Sequence, residues 1–286
     1  MRIPPAPLRA LRFGGQAVVG TGLVLLFAGI ALPARGQLPV SSLSASGQSV
    51  SPVFEGWYPN ADGTFSLSFG YYNRNTEEVV EVPIGANNFI APGPQNQGQP
   101  TQFHARRHWG VFAVKVPANF GQKNEVTWTL KFRGETYAIP GRLDARWQID
   151  ALEGEAGAGN TPPVITLGAS GPEARGPGGA TAGPLKAVVG QPLPISAMVK
   201  DDGRGGRGSA PITLAWFKHQ GPGSVTFSPA TGRAAAAGGE AATTATFSEP
   251  GEYVIRLRAN DVSGVANAGH AQCCWTNGFV KVTVVR

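Results

Sequence analysis

Apolar and polar side chains alternate along three stretches of the first half of the chain. In the stretch 63–73, "GTFSLSFGYYN", and in two later stretches, the apolar residues fall on one face: Phe65, Leu67, Phe69 and Tyr71, then Phe112, Val114 and Val116, then Val126, Trp128, Leu130 and Phe132. Successive side chains of a strand point to opposite faces of a sheet. Because a one-sided sheet must bury its apolar face, the pattern predicts about six to eight short strands packed as an antiparallel β-sandwich between residues 50 and 150.

The same period of two residues returns in the second half of the chain. "ITLAWFKH" (212–219) places Ile212, Leu214 and Trp216 on one face. "GEYVIRLRAND" (251–261) directs one set of side chains inward and leaves the other outward, with Tyr253, Ile255, Leu257 and Ala259 in the first set and Glu252, Arg256 and Arg258 in the second. These patterns predict a second sandwich over residues 162–286.

Motifs of the second half resemble a known group of domains. The stretches "ITLAWFKHQGPGSVTFS", "TTATFSEPGEYVIRLRANDVSG" and "FVKVTVV" resemble bacterial polycystic-kidney-disease-like (PKD-like) and immunoglobulin-like domains over about residues 161–286. The resemblance implies a seven-strand sandwich with Trp216 and Tyr253 in or near the core, and a tyrosine-corner hydrogen bond from Tyr253. Residues 50–150 match no family that we can name. The predicted fold class is therefore all-β, with two tandem antiparallel β-sandwich (immunoglobulin-like) domains.

Segments rich in glycine, alanine and proline separate or interrupt these patterns. Residues 151–161 are small and polar without periodicity, which predicts a linker between the two domains. "GASGPEARGPGGATAGP" (168–184) interrupts the second domain and predicts a flexible insertion. Residues 37–49 are expected to form a disordered amino-terminal segment.

The first 36 residues have the pattern of a cleaved signal peptide. Three arginines precede an apolar run of 16 residues, Ala17–Leu32, and small residues at Ala34 and Gly36 favour cleavage before Gln37. The alternative is an amino-terminal membrane anchor, but a spanning helix needs about 20 residues. The pattern predicts a secreted, periplasmic or cell-surface protein with no membrane span after cleavage.

Removal of this leader changes the charge of the chain. The full sequence has 24 basic and 18 acidic residues, a net charge of +6. The leader holds four arginines and no acid, so 24 − 4 = 20 basic residues remain and the net charge falls to +2. "HARRH" (104–108) is the only dense basic stretch, so nucleic acid is not an expected partner.

The two cysteines, Cys273 and Cys274, are neighbours. In an oxidising compartment exposed cysteines tend to pair, so one interpretation is a vicinal disulfide that presents sulfur and Trp275 as an apolar contact surface. A second is a pair of reduced thiols, at least one of them buried as a small apolar side chain. A third is a cross-link to another molecule. A redox catalyst would be expected to space its thiols as Cys-x-x-Cys.

Aspartates and histidines supply two further candidate sites. Asp201, Asp202 and Asp261 follow strands whose loops are expected at one end of the second sandwich, where they are a candidate calcium site. The alternative is turn chemistry, in which each side chain bonds nearby backbone. His104 and His108 are about 13 Å apart if they lie on one strand. A loop could bring them together, but surface histidines are the better interpretation because no third metal ligand is apparent.

Aromatic residues near strand ends are the other candidate contact surface. Trp57 and Tyr72 would stack on a sugar or a peptide if they face outward. No nucleophile elbow, metalloprotease helix or phosphate loop is present in the sequence, and no cofactor is indicated.

The preferred hypothesis is an exported, non-catalytic binding, adhesion or assembly protein of the bacterial cell envelope, with an envelope protein or a glycan as partner. The alternatives are an accessory carbohydrate- or redox-related domain of a secreted enzyme system, and a structural spacer. An enzyme should bring carboxylates or histidines together in a pocket. A spacer should show tightly docked domains and no exposed aromatic patch.

Overall fold

A computed structural model describes residues 43–153, 159–204, 210–261, 263 and 273–286. The predicted signal peptide at 1–36 and residues 37–42 lie outside these residues, as does the middle of the predicted linker at 154–158. The expectation of disorder is wrong for residues 43–49, because hydrogen bonds such as those from Thr76 N–H to the Ser44 carbonyl and from Gly47 N–H to Glu78 hold them against the first sandwich. The described residues belong to one compact unit, Ser42–Arg286. Within them, no helix is long and apolar enough to cross a membrane.

The first half folds into two three-stranded antiparallel sheets and one short antiparallel pair of strands. Its strands are β1 (Val50–Pro59), β2 (Phe65–Asn73), β3 (Val80–Glu81), β4 (Asn88–Ala91), β5 (Gln102–Phe103), β6 (Arg106–Val116), β7 (Val126–Phe132) and β8 (Glu135–Gly141), followed by the 3-10 turn η1 (Ala145–Trp147). The sheet orders are β1-β2-β6 and β4-β7-β8, and β3 pairs with β5. These two orders correspond to the A-B-E and C-F-G sheets of an immunoglobulin-like sandwich.

The core of this half is built from the predicted apolar faces. Leu67, Phe69, Trp128 and Leu130 are fully buried between the sheets. The Trp128 indole donates a hydrogen bond to Oδ1 of buried Asn88 at 2.9 Å, so its polar group is satisfied inside the core.

The second half forms two five-stranded sheets. Its strands are β9 (Val164–Leu167), β10 (Glu173–Ala174), β11 (Ala180–Val188), β12 (Leu193–Lys200), β13 (Ile212–Gln220), β14 (Val225–Ser228), β15 (Thr231–Ala234), β16 (Gly239–Phe247), β17 (Gly251–Asn260) and β18 (Trp275–Val285). The orders are β10-β9-β12-β16-β14 and β11-β18-β17-β13-β15. All pairings are antiparallel except β11 with β18. This is again an immunoglobulin-like order, and the all-β prediction with two sandwiches is confirmed.

The residues that carry the family resemblance lie where it implies. Trp216 and Tyr253 are buried in the second core. The Tyr253 hydroxyl donates a hydrogen bond to the carbonyl of Glu249 at 2.8 Å, four residues upstream. This is the tyrosine corner that the resemblance implied.

Residues 168–184, expected as a flexible insertion, instead hold β10 and the first part of β11. Strand β11 pairs in parallel with the edge of β18. Backbone pairing at a sheet edge requires no apolar alternation, so composition alone gave no signal for this strand. The predicted linker is also packed at its start, because Ala151 is buried against Tyr58 and Ile149.

Candidate functional site

The outer face of the sheet β11-β18-β17-β13-β15 packs against the first sandwich. The side-chain amide of Asn277 on β18 donates hydrogen bonds to the carbonyls of Gly110 and Pro177, both at 2.8 Å. Arg256 on β17 donates to the carbonyl of Val111 at 3.2 Å, and only 2% of its surface is exposed. Arg256 points away from the core of its own sandwich, as predicted. It is nevertheless not exposed to solvent, because the first sandwich covers this face of the sheet.

His219 extends this contact along β13. Its carbonyl accepts a hydrogen bond from the backbone N–H of Thr101 at 2.8 Å, and its Nε2 lies 2.7 Å from the carbonyl of Gly98. Burial lowers the pKa of His219 to about 3, with Arg256 adding to the effect. The neutral ring therefore donates from Nε2, and the interface is held by hydrogen bonds as well as apolar contact.

Trp275 lies inside this interface rather than on the surface. Its side chain is 0% exposed, and its indole nitrogen donates to the carbonyl of Gly110 at 3.2 Å. A Cβ atom on Gly110, whose φ is +42°, would lie 2.3 Å from the Trp275 ring, so this close approach requires glycine. The expectation of an exposed surface at Trp275 is wrong, because the indole fills the joint between the sandwiches.

Cys273 and Cys274 form a disulfide between neighbours in the structure, and both side chains are buried. Cys274 Sγ lies 3.8 Å from the carbonyl oxygen of Asn160, and its own carbonyl accepts a hydrogen bond from the backbone of Asp261. The pair is therefore packed under the loops of the second sandwich. The prediction that sulfur and Trp275 form an exposed apolar contact surface is therefore wrong.

The three predicted aspartates converge on these loops. Asp261 accepts hydrogen bonds from Asn160 and Ser263, while Asp202 accepts from Thr161 and the backbone of Arg204. We call Asp201, Asp202 and Asp261 the aspartate cluster.

Burial is the largest cause of the raised pKa values in the aspartate cluster. It raises the pKa of Asp201 to about 6, and repulsion from Asp261 and Asp202 adds to this. Burial also raises the pKa of Asp261, opposed by hydrogen bonds from Asn160 and Ser263.

The aspartate cluster is the calcium site that the sequence predicts. Each oxygen of Asp202 and Asp261 accepts a hydrogen bond from protein. One oxygen of each caps its own turn, by accepting from the residue two positions on, and the other accepts from Thr161 or Asn160 of the segment before β9. Within the described residues, no group of three acidic, histidine or cysteine side chains has the arrangement of a metal site. Calcium binding remains a prediction from the sequence.

A loop brings the two histidines of the "HARRH" stretch together. His104 precedes β6 and His108 lies on it, and their ring centroids are 6.0 Å apart rather than the 13 Å expected on a straight strand. Phe217 of β13 lies edge-on to both rings, at 5.2 Å and 6.2 Å. Both histidines are partly buried between the sandwiches, so the interpretation as simple surface residues is wrong.

Trp57 and Tyr72 do not form one contact surface. Trp57 pairs with Leu67, and Tyr72 pairs with Ser51, so the two lie about 17 Å apart along the sheet. Trp57 packs on the first core and donates its indole N–H to the carbonyl of Asp144 at 2.7 Å. The Tyr72 ring is partly covered by the guanidinium of Arg106.

Trp147 is the exposed aromatic residue that the sequence reasoning missed. It is 49% exposed at the end of η1 and is the only aromatic among the large exposed apolar residues of the described chain. It borders a groove of about 400 Å³, the Trp147 groove, lined by Pro52, Val53, Phe54, Ile139, Pro140, Arg142, Asp144, Arg146 and Trp147. The sequence does contain a signal for this exposure. Trp147 lies outside every alternating stretch, so no strand places its side chain on a buried sheet face.

Comparisons with known proteins give no family for this chain. No family model matches it, and no curated protein matches it. One distant solved structure contains domains 4 and 5 of the S-layer protein SbsC, with 13% identity and a TM-score of 0.25; the match covers 57% of this chain and 66% of that one, just under two thirds. Another is the D00-D0 domain of intimin, with 13% identity and a TM-score of 0.26; the match covers 83% of this chain and 100% of that one. A third is WR4, a C. elegans MSP family member, with 11% identity and a TM-score of 0.23; the match covers 35% of this chain and 92% of that one. Scores this low carry no functional argument.

Proposed function

We propose that this protein is an exported, non-catalytic binding protein of the cell envelope that binds glycan in the Trp147 groove. The single observation that carries the proposal is the half-exposed indole of Trp147 at the edge of the groove, since ligand sites are concave and lined mainly by apolar and aromatic side chains with a few polar groups. The pattern of residues 1–36 supports export. We further propose two domains, residues 50–150 and 162–286, as the scaffold.

Hydrogen bonds to the first sandwich hold the loop that carries Trp147 in place. Asp144 caps η1 by accepting a hydrogen bond from the backbone N–H of Arg146 at 3.0 Å. Trp57 holds this turn on both sides, because its indole donates to the Asp144 carbonyl and its own carbonyl accepts the N–H of Ile149 at 3.0 Å. The Trp147 ring itself leans on Phe54, with centroids 5.8 Å apart. A fixed aromatic loses little entropy when a ligand stacks on it.

The shape of the groove favours a ring-shaped ligand over an added peptide strand. Strands β1 and β8 are edge strands, and each carries a proline at the groove, Pro52 and Pro140. Proline has no N–H to offer a pairing strand and is a usual protection of sheet edges. A sugar ring needs no backbone pairing, because it can stack on the indole with its hydroxyls toward the charged rim.

That rim provides both donors and an acceptor. Arg142 and Arg146 present guanidinium groups with side chains 48% and 84% exposed, and they pair with Glu125 at 3.5 Å and with Asp144 at 2.6 Å. The two cations are balanced by two carboxylates, which fits a neutral saccharide. An accessory domain of a secreted carbohydrate-active enzyme would use the same groove. The spacer hypothesis fits the docked sandwiches but leaves Trp147 without a role.

Sedimentation with insoluble polysaccharides tests this function. Wild-type protein, Trp147→Ala and the control Met198→Ala are mixed with peptidoglycan sacculi, chitin or cellulose, and the bound fraction is measured. Met198 is a matched control because it is 48% exposed on a strand of the other sandwich. We expect wild type and Met198→Ala to bind at least one polymer and Trp147→Ala to lose that binding. Preference for sacculi supports the envelope role, and preference for cellulose or chitin supports the accessory role. Absence of binding to all three, or equal binding by Trp147→Ala, would contradict the proposal.

A further inference from the structure

Five buried nitrogen atoms of basic side chains make no hydrogen bond within the described part of the protein. They are Arg106 Nη1, His104 Nε2, His108 Nδ1, Arg256 Nε and Arg258 Nε. Buried polar groups nearly always find a partner, and a buried charge without one is costly. The four residues other than Arg106 surround one aromatic ring, that of Phe217.

Distances to Phe217 place two guanidinium groups and two imidazoles together. Arg256 Cζ lies 4.5 Å from the Phe217 ring centroid and Arg258 Cζ lies 5.4 Å from it. The rings of His104 and His108 approach the same phenylalanine from the first sandwich at 5.2 Å and 6.2 Å. We call Arg256, Arg258, His104 and His108 the basic cluster.

Carboxylates do not compensate this charge among the described residues. Neither Arg256 nor Arg258 belongs to any of the ion pairs there. The nearby acids on the first sandwich are engaged with other cations, since Glu55 pairs with Arg107 at 2.7 Å and Glu81 with Lys218 at 2.8 Å. The stack on Phe217 offsets part of the cost of burying Arg256, and one N–H donates to Val111.

The net charge of the basic cluster decides which kind of ligand it can bind. Burial lowers the pKa of His104 to about 4 and of His108 to about 3, so both imidazoles are neutral near pH 7. Two neutral imidazoles alone would suit a metal ion, but the two guanidinium groups beside them repel cations. Guanidinium forks match the geometry of tetrahedral oxyanions.

We propose that the basic cluster is a binding site for a small inorganic oxyanion, phosphate or sulfate, at the joint between the two sandwiches. The anion would accept hydrogen bonds from Arg256 and Arg258 on one sandwich and from Nε2 of His104 on the other. The neutral His108 ring donates from Nε2 to the carbonyl of Ala105 at 3.2 Å, so its Nδ1 carries no proton and His108 lines the site without donating to the anion. The anion would therefore stabilise the docked arrangement. The site is distinct from the Trp147 groove and does not depend on the proposed function.

Binding of free phosphate tests this proposal directly. Wild type, Arg258→Met and the control Arg233→Met are titrated with sodium phosphate or sodium sulfate, with sodium chloride at matched ionic strength as reference. Binding is followed by equilibrium dialysis and by thermal melting. Arg233 is a matched control because it is an exposed arginine on the same sheet. The partly exposed Arg258 is chosen over Arg256, and His104→Asn provides a second variant if Arg258→Met fails to fold.

We expect saturable stabilisation by phosphate or sulfate, beyond that of chloride, in wild type and Arg233→Met. Loss of one charge-assisted hydrogen bond should weaken that binding by about tenfold in Arg258→Met. Two results would overturn the proposal: a response to phosphate and sulfate no larger than the response to chloride, or equal affinities in wild type and in the folded cluster variants.

Discussion

Replacement of Asn277 by alanine should measure how strongly the two sandwiches are docked. Asn277 is 0% exposed, and its amide joins the carbonyls of Gly110 on the first sandwich and Pro177 before β11. The substitution removes both bonds, together with a longer one of 3.4 Å to the carbonyl of Val111, which keeps Arg256 as a donor. Gly110 keeps the indole N–H of Trp275 as a partner, whereas the Pro177 carbonyl loses its only described side-chain donor.

The magnitude follows from these contacts. A net hydrogen bond contributes about 1 kcal/mol, and a buried carbonyl left without a partner costs about 1–3 kcal/mol. The Oδ1 atom of Asn277 already lacks a partner, so its removal returns part of this loss. We therefore expect the free energy of unfolding to fall by about 2 kcal/mol, which lowers the urea midpoint by about 1 M at an m-value of about 2 kcal/mol/M.

Urea unfolding followed by tryptophan fluorescence and by circular dichroism provides the assay. Asn119→Ala is the matched control, because Asn119 is exposed in the loop after β6. If the midpoint of Asn277→Ala lies within error of that of Asn119→Ala, the amide does not hold the joint and the reasoning is refuted. Separation of the two probes in Asn277→Ala alone would show that the halves have become uncoupled.

Three further predictions concern the loops of the second sandwich. Because the pKa of Asp201 is raised to about 6 from 3.8, the folded protein holds a proton that the unfolded chain has released, so this group makes stability fall as pH rises from about 4 to 6. Asp201→Asn should remove that fall and gain about 1 kcal/mol at pH 7 after allowance for solvent screening; thermal melts across this range that are parallel for both proteins would refute it. Calcium should raise the melting temperature of wild type more than magnesium does if the aspartate cluster binds it, and identical curves would reject calcium. Intact mass without reductant should lie about two mass units below the reduced protein if Cys273 and Cys274 are bonded to each other; an unshifted monomer mass would exclude the bond.

The sequence determined which residues form the two cores. Alternation identified the buried faces of β2, β6, β7, β13 and β17, because a period of two residues can bury only one set of side chains in a sandwich. The tyrosine corner at Tyr253 was also accessible, since its partner lies four residues away in the chain. Strand β11 escaped detection because a parallel edge pairing is held by backbone hydrogen bonds, which leave no pattern in side chains.

Only the tertiary structure decided what lies on the other faces. Arg256 and Trp275 are polar or amphipathic residues at positions that alternation assigns to solvent or to a loop, yet the first sandwich buries both. The sequence cannot give this result, because the docking partner of a sheet face lies more than a hundred residues away. Trp147 is exposed for the converse reason: its 3-10 turn lies outside both sandwiches, with no second layer above it. Local periodicity therefore fixed each sandwich, while contacts distant in sequence fixed the joint and both candidate binding sites.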